Sequence, residues 1–287
     1  MDAVVIILAL CSAILIALAL ILTQFGLRTL TPLAGAAISV PTAAGMFAAI
    51  SPVSVDLANW HGRSVLLFAL AGAFFPVTVT LLTFASNRHL GPTITGALGN
   101  LTPLFAVGLA VVLVGETPAR LQMVGILCVV LGAFTLYIGR SPVLVSVATW
   151  AFALPIGAAF LRGLVQPVVK LGLETWPNPF AAVTIGYLVS AGILVAARLF
   201  VLEKVKHNEL RGPLWFVAVG VCNGAANLTR YAALTRGPVT VVAPLVATYP
   251  LATLLLDRML RRHSPPNSAT FVGVLVIVAG VALLLVL

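Results

Sequence analysis

The sequence predicts an all-α membrane protein with ten transmembrane helices, arranged as two inverted five-helix repeats (residues 1–140 and 141–287) in one membrane domain. Three observations carry this expectation. Hydrophobic residues make up 61% of the 287 and charged residues 8%, with a mean hydropathy of +1.16, against roughly 25% charged in soluble domains. The apolar residues gather into runs that reach the roughly 20 residues a bilayer-spanning helix needs. A series of Gly, Pro and Arg landmarks recurs along the chain at nearly one offset.

The first apolar run begins directly after Met1-Asp2 and reaches Phe25. It has no basic leader and no small-residue cleavage site, and it is too long for a cleaved signal, so a retained helix is expected over 3–26. Helices follow at 32–51, opened by Pro32, and at 63–85, opened by Arg63. Two more are expected at 91–114, after Gly91-Pro92, and at 119–138, after Pro118. The second set is expected at 147–171, 179–201, 212–235, 238–260 and 268–287. The longest hydrophilic stretches, 51–62 and 203–212, take matching places in the two sets. Ten such spans use about two thirds of the chain and leave no room for a soluble head.

The duplication rests on ordered pairs. Gly26-Leu27-Arg28-Thr29-Leu30 before Thr31-Pro32 resembles Gly172-Leu173-Glu174-Thr175-Trp176 before Asn178-Pro179. Arg63 matches Arg211, Leu82-Thr83 matches Leu228-Thr229, and Gly91-Pro92 matches Gly237-Pro238. Pro103 matches Pro250, while Pro118, Gly125 and Gly132 match Pro266, Gly273 and Gly280. All are 146 to 148 residues apart. An odd number of helices per copy makes the second copy enter the membrane from the opposite side. Inverted repeats of this kind place a site at their interface and can rock between two accessible states, which points to a transporter.

These residues also carry a resemblance. The stretch from Leu90, LGPTITGALGNLTPLFAVGLAVVLVGETPARLQMVGILCVVLGAFTL, resembles the end of a repeat in the drug/metabolite transporter superfamily. YAALTRGPVTVVAPLVATYPLATLLL from Tyr231, with the Gly273-x6-Gly280 helix, resembles its second copy. The pattern fits the ten-helix EamA-type branch and covers essentially the whole chain. The resemblance implies a ten-helix inverted-repeat exporter of amino acids or other small metabolites. The second copy departs from it at Ser264, which stands where the first copy has Glu116 in the glycine-glutamate turn.

Charge and cysteine content narrow the function further. A net charge of +9 would suggest nucleic acid in a soluble protein, but here the Lys and Arg sit mostly in short connections and no basic, aromatic-rich stretch is present. Orientation signals and lipid-headgroup contacts account for them, so no nucleic-acid partner is expected. Ten basic residues, dense at 198–211 and 258–262, fall in odd-numbered connections, and five (Arg63, Arg120, Lys170, Arg230 and Arg236) in even-numbered ones. By the positive-inside rule both termini lie outside, whereas the resemblance implies cytoplasmic termini. Cys11, Cys128 and Cys222 stand apart in apolar runs, so no metal, cofactor or structural disulfide is expected. The expected setting is multi-pass in a cell membrane, of prokaryotic plasma-membrane type. One chain of ten helices can enclose a cavity, so a monomer suffices and a dimer is possible.

Candidate substrate-binding residues are the polar groups inside the spans. Arg162, Gln166 and Lys170 lie four residues apart on one helix face. An Arg at mid-membrane costs roughly 2.5–3.5 kcal/mol on insertion scales and must face protein, water or substrate. The plainer alternative is that it bonds backbone carbonyls or snorkels to an interface. Asn223, Asn227 and Tyr231 share a face of the eighth helix, as binding groups or as glue between helices. Asn100, near Thr95 and Gly96, makes the fourth helix polar and small-sided, and Gln24 near the end of the first helix is a weaker candidate. Pro103, Pro244 and Pro250 interrupt corresponding spans, either as gating kinks at a transport site or as packing kinks. Trp60, Trp150, Trp176 and Trp215 are expected in the interfacial aromatic belt, and His89 at headgroup level.

None of the seven acids (Asp2, Asp56, Glu116, Glu174, Glu203, Glu209 and Asp257) lies near the middle of a predicted helix. That argues against organic-cation or carboxylate-driven multidrug chemistry and suits a ligand bearing a carboxylate or several hydroxyls. The leading expectation is an exporter or facilitator of amino acids or similar small metabolites by alternating access. A sugar, nucleoside or phosphorylated-metabolite carrier stands as the alternative, with a non-transporting scaffold or receptor as the reading from another class. An enzyme is not expected, because the sequence carries no HExxH, GxSxG or membrane aspartate pair.

Overall fold

The computed structural model describes residues 2–55, 60–138, 149–200, 211–261 and 268–285. The predicted repeat boundary at 140/141, Ser264 and the cations Arg140, Lys204, Lys206 and Arg262 lie outside them. Among the described residues all regular structure is helical: α1 (Ala3–Gly26), α2 (Pro32–Ser54), α3 (Gly62–Phe74), α4 (Val77–Gly99), α5 (Thr102–Leu113), α6 (Arg120–Ile138), a 3-10 turn (Thr149–Phe152), α7 (Ala153–Thr175), α8 (Pro179–Phe200), α9 (Arg211–Arg236), α10 (Val239–Val246), α11 (Tyr249–Arg261) and α12 (Ser268–Leu285). The starts follow local chemistry. The Asp2 carboxylate accepts from the Val4 N–H at 3.0 Å, and Thr31 caps α2 ahead of Pro32.

These segments make up ten membrane spans in two inverted copies, and three of the spans are broken. The fourth breaks at Asn100-Leu101, between α4 and α5. The ninth breaks at Ala247-Thr248, between α10 and α11, 147 residues later. Each break is closed the same way: Thr102 Oγ1 donates to the Gly99 carbonyl and Thr248 Oγ1 to the Leu245 carbonyl, both at 2.7 Å. Pro103 and Pro250 therefore do not kink a helix interior. Each is the second residue of a new helix, where its missing N–H costs nothing. Pro244 alone of the three lies inside a helix, α10.

The third span departs from expectation. The sequence predicts a boundary at 86–90, before Gly91-Pro92, yet α4 runs through that dipeptide and the chain breaks earlier, at Phe75-Pro76. The residue before a proline is pushed toward extended angles, and Phe75 takes them (φ −137°, ψ 134°), ending α3 with its N–H on the Ala71 carbonyl at 2.9 Å.

The copies meet in reciprocal contacts, as a two-fold arrangement requires. Phe68 of α3 packs on Gly172 of α7, and its repeat equivalent Phe216 of α9 packs on Gly26 of α1. A Cβ on Gly132 would lie 2.8 Å from the Gly273 carbonyl oxygen, and one on Gly280 would lie 2.8 Å from the Gly125 carbonyl oxygen. The last helices of the two copies, α6 and α12, thus cross at glycines that correspond pairwise in sequence. With lipid as solvent, such close backbone approach supplies the dispersion contacts that hold helices together. The core joins residues of α1, α2, α3, α4, α5, α7, α8, α9 and α10, and every residue of α10 is buried.

Candidate functional site

Polar side chains inside this core form two groups. The first surrounds Arg162 of α7. Its Nη2 donates to Thr83 Oγ1 at 3.4 Å, and Gly99 leaves space for its Nη1, which a Cβ there would meet at 3.7 Å. Asn100, next in the chain, is 1% exposed, and Gln166, one turn beyond Arg162, is 3% exposed. Both polar side-chain atoms of Asn100 and the Gln166 Oε1 are buried without a hydrogen-bond partner among the described residues. An orphaned buried amide group costs about 1–3 kcal/mol, so three such atoms beside a guanidinium mark a place that a polar guest would stabilise.

The second group lies between α8 and α9. Asn227 Nδ2 donates to the Tyr187 hydroxyl at 2.7 Å, and Asn227 Oδ1 accepts from Arg230 Nη2. The Arg230 guanidinium lies over the rings of Phe75, at 5.3 Å, and Tyr231, at 5.5 Å. Desolvated cation–π contacts of this kind are worth about 2 kcal/mol. By sequence alone Arg230 falls among the cations of an even-numbered connection. The structure corrects this: Arg230 is 4% exposed inside α9. The available signal is its position one turn after Asn227 and next to Tyr231, beside the polar face of that helix.

The structure thus separates residues that the sequence grouped together. Arg162, Gln166 and Asn100 belong to the α4–α5–α7 group, and Asn227 and Tyr231 to the α8–α9 group. Asn223 is half-buried on α9, one turn before Asn227, and Gln24 is exposed near the end of α1. Lys170 acts elsewhere, at a helix end. Its Nζ donates to the carbonyls of Leu234, at 2.8 Å, and Gly237, at 3.1 Å, closing the C-terminus of α9. Across the same junction the Glu116 carboxylate accepts from the N–H groups of Val239, at 2.7 Å, and Thr240, at 2.8 Å, closing the N-terminus of α10. Each charge has the sign its helix end favours. Replacing Lys170 by Met is therefore expected to destabilise the fold by about 1–2 kcal/mol. The check is its thermal midpoint in detergent against wild type.

A cavity of about 330 Å³ opens among the end of α2, the start of α3 and α8, lined by Ser51, Val55, Trp60, Val65, Trp176 and Thr184, among others. Thr184 stands one turn from Tyr187 on α8, so the cavity adjoins the second polar group along that helix. Trp176 corrects the aromatic-belt expectation. It is 3% exposed, with its ring 6.1 Å from that of Phe68, whereas Trp60, Trp150 and Trp215 are exposed.

Comparison with known proteins agrees with this architecture. The family model described as "EamA-like transporter family" matches the chain twice, over residues 3–138 and 146–286. A solved structure titled only "Crystal structure of protein" superposes with a TM-score of 0.81 at 18% identity, covering 100% of this chain and 98% of that one. No curated protein matches the chain significantly. With both copies matched across nearly their full length, the chain belongs to the EamA-like transporter family and is a multi-pass membrane transporter of small molecules.

Proposed function

We propose that the protein is an exporter or facilitator of amino acids or similar small metabolites that works by alternating access, with the two copies meeting near residue 140. The observation that carries this reading is the group around Arg162: a half-buried guanidinium that donates to Thr83, with partnerless buried amide atoms on Gln166, one turn along α7, and on Asn100, next to Gly99. A carboxylate fits the guanidinium through charge-assisted bonds, and the amides of Asn100 and Gln166 supply both donors and acceptors for the rest of a zwitterion. Asn223, Asn227 and Tyr231 extend the polar surface on α9. The exposure of Gln24 leaves it outside this set. Half-helices meeting at Asn100-Leu101 and Ala247-Thr248 are the kind of discontinuity on which transporters build sites and gates. All of these groups come from one chain, so a monomer suffices. The basic connections favour both termini outside a prokaryotic plasma membrane.

A second reading, a carrier of sugars, nucleosides or phosphorylated metabolites, gains from the neutral hydrogen-bonding groups of Asn100, Gln166, Asn223 and Asn227, which suit a ligand bearing several hydroxyls. Counterflow of labelled amino acids in proteoliposomes, with and without a pH gradient, separates the two. Saturable amino-acid flux is expected, falling about tenfold in Arg162→Ala, the loss of one charge-assisted bond to substrate. Flux unchanged in that variant would remove Arg162 from the site. Competition by a nucleotide sugar, with none by amino acids, would replace the first reading by the second.

A further inference from the structure

The group around Arg230 holds an unbalanced charge. Its guanidinium is 4% exposed, and no carboxylate pairs with it among the described residues. Of the acids whose side chains are described, Asp2 caps α1, Glu116 caps α10 and Glu174 is exposed. The rings of Phe75 and Tyr231 lie against the cation, but its Nε is buried without a hydrogen-bond partner. A buried cation with an unsatisfied donor is among the costlier arrangements a membrane protein can keep.

The neighbouring bonds supply a second donor. Because Arg230 Nη2 donates to Asn227, the acceptor of that amide is Oδ1, which leaves Nδ2 to donate to the Tyr187 oxygen. The Tyr187 hydroxyl has then accepted one bond, and its own proton is left to donate. Asn227 thus orients two donors, Arg230 Nε–H and Tyr187 O–H, with one positive charge between them.

We infer that this group is an anion site for a single carboxylate, separate from the site at Arg162. One guanidinium edge and one hydroxyl suit a monovalent group; a phosphate dianion would need a second cation in contact. The inference does not depend on amino acids being the cargo, because the ligand is defined by its carboxylate alone.

Sodium acetate is the probe, added to the purified full chain in detergent at constant ionic strength set with sodium sulfate, and the thermal midpoint is the readout. A ligand that binds only the folded state raises the midpoint saturably. The measurements are made in an Arg162→Gln background, so that acetate at the Arg162 site does not contribute, and a saturable rise of a few degrees is expected there. Adding Tyr187→Phe, which keeps the ring, is expected to raise the half-saturating acetate concentration at least tenfold, and adding Arg230→Gln is expected to abolish the rise. An acetate response unchanged by Tyr187→Phe, or none in the Arg162→Gln background, would overturn the inference. So would stabilisation by sodium chloride with none by acetate. Amino-acid flux does not enter the measurement, so a failed transport assay and a failed anion site are distinguishable.

Discussion

Gly72→Ala is expected to destabilise the protein by about 3 kcal/mol, at the upper end of overpacking costs, while Gly186→Ala, on the facing helix, leaves stability unchanged or raises it. The two glycines face each other between α3 and α8, but not symmetrically. A Cβ on Gly72 would come within 2.6 Å of the Gly186 carbonyl oxygen and 2.7 Å of its Cα. Those are backbone atoms, so the helices themselves would have to separate, straining the bond from Ser190 Oγ to the Gly72 carbonyl. A Cβ on Gly186 would find its nearest neighbour at 3.8 Å, an ordinary contact, and would recover about 1 kcal/mol of helix propensity. Thermal midpoints of the two variants in detergent decide the matter. Equal losses would mean that the two helices do not cross as described.

Glu116→Ala is expected to cost about 2–3 kcal/mol, since hydrogen bonds to a charged acceptor contribute about 1.5–3 kcal/mol each and two are lost together. The residue before α10 is Pro238, which offers no side-chain cap, and all eight residues of α10 are buried. Water is therefore a poor substitute at Val239 and Thr240. Glu116→Gln keeps one oxygen acceptor and loses the charge, so about half the effect is expected. Amide hydrogen exchange over 239–242 is the direct readout. Protection there should fall roughly thirty- to hundredfold in Glu116→Ala and stay unchanged in α6 and α12. Protection unaltered in α10 would show that its N-terminus is held by something other than this carboxylate.

The ten-span, two-copy architecture was legible because it depends on features that survive as letters: run length, Gly and Pro positions, and their recurrence at one offset. Reciprocal packing of Phe68 on Gly172 and Phe216 on Gly26 is that recurrence in space. What the letters could not show is context. Gly91-Pro92 and Gly237-Pro238 read alike, yet α4 passes through the first and the chain breaks at the second, because a break needs partners for the freed helix ends. Lys170 and Glu116, remote in sequence, supply them only at the second. Polar groups followed the same rule. Four-residue spacing placed Asn227 and Tyr231 on one face correctly, but gave no information on which helix that face meets, so Arg162 was grouped with them and Arg230 was left in a connection.

The junction between α9 and α10 also bears on the alternating-access cycle proposed above. At the corresponding junction of the first copy, around Gly91-Pro92, the positions equivalent to Lys170 and Glu116 are Gln24 and Ser264, both neutral. If the copies exchanged conformations, two charge-assisted caps would be traded for two neutral ones, a difference of about 1–3 kcal/mol. That corresponds to a roughly five- to hundredfold bias in population. The protein would then have a resting face, and a gradient or the cargo itself would have to supply that free energy once per turnover.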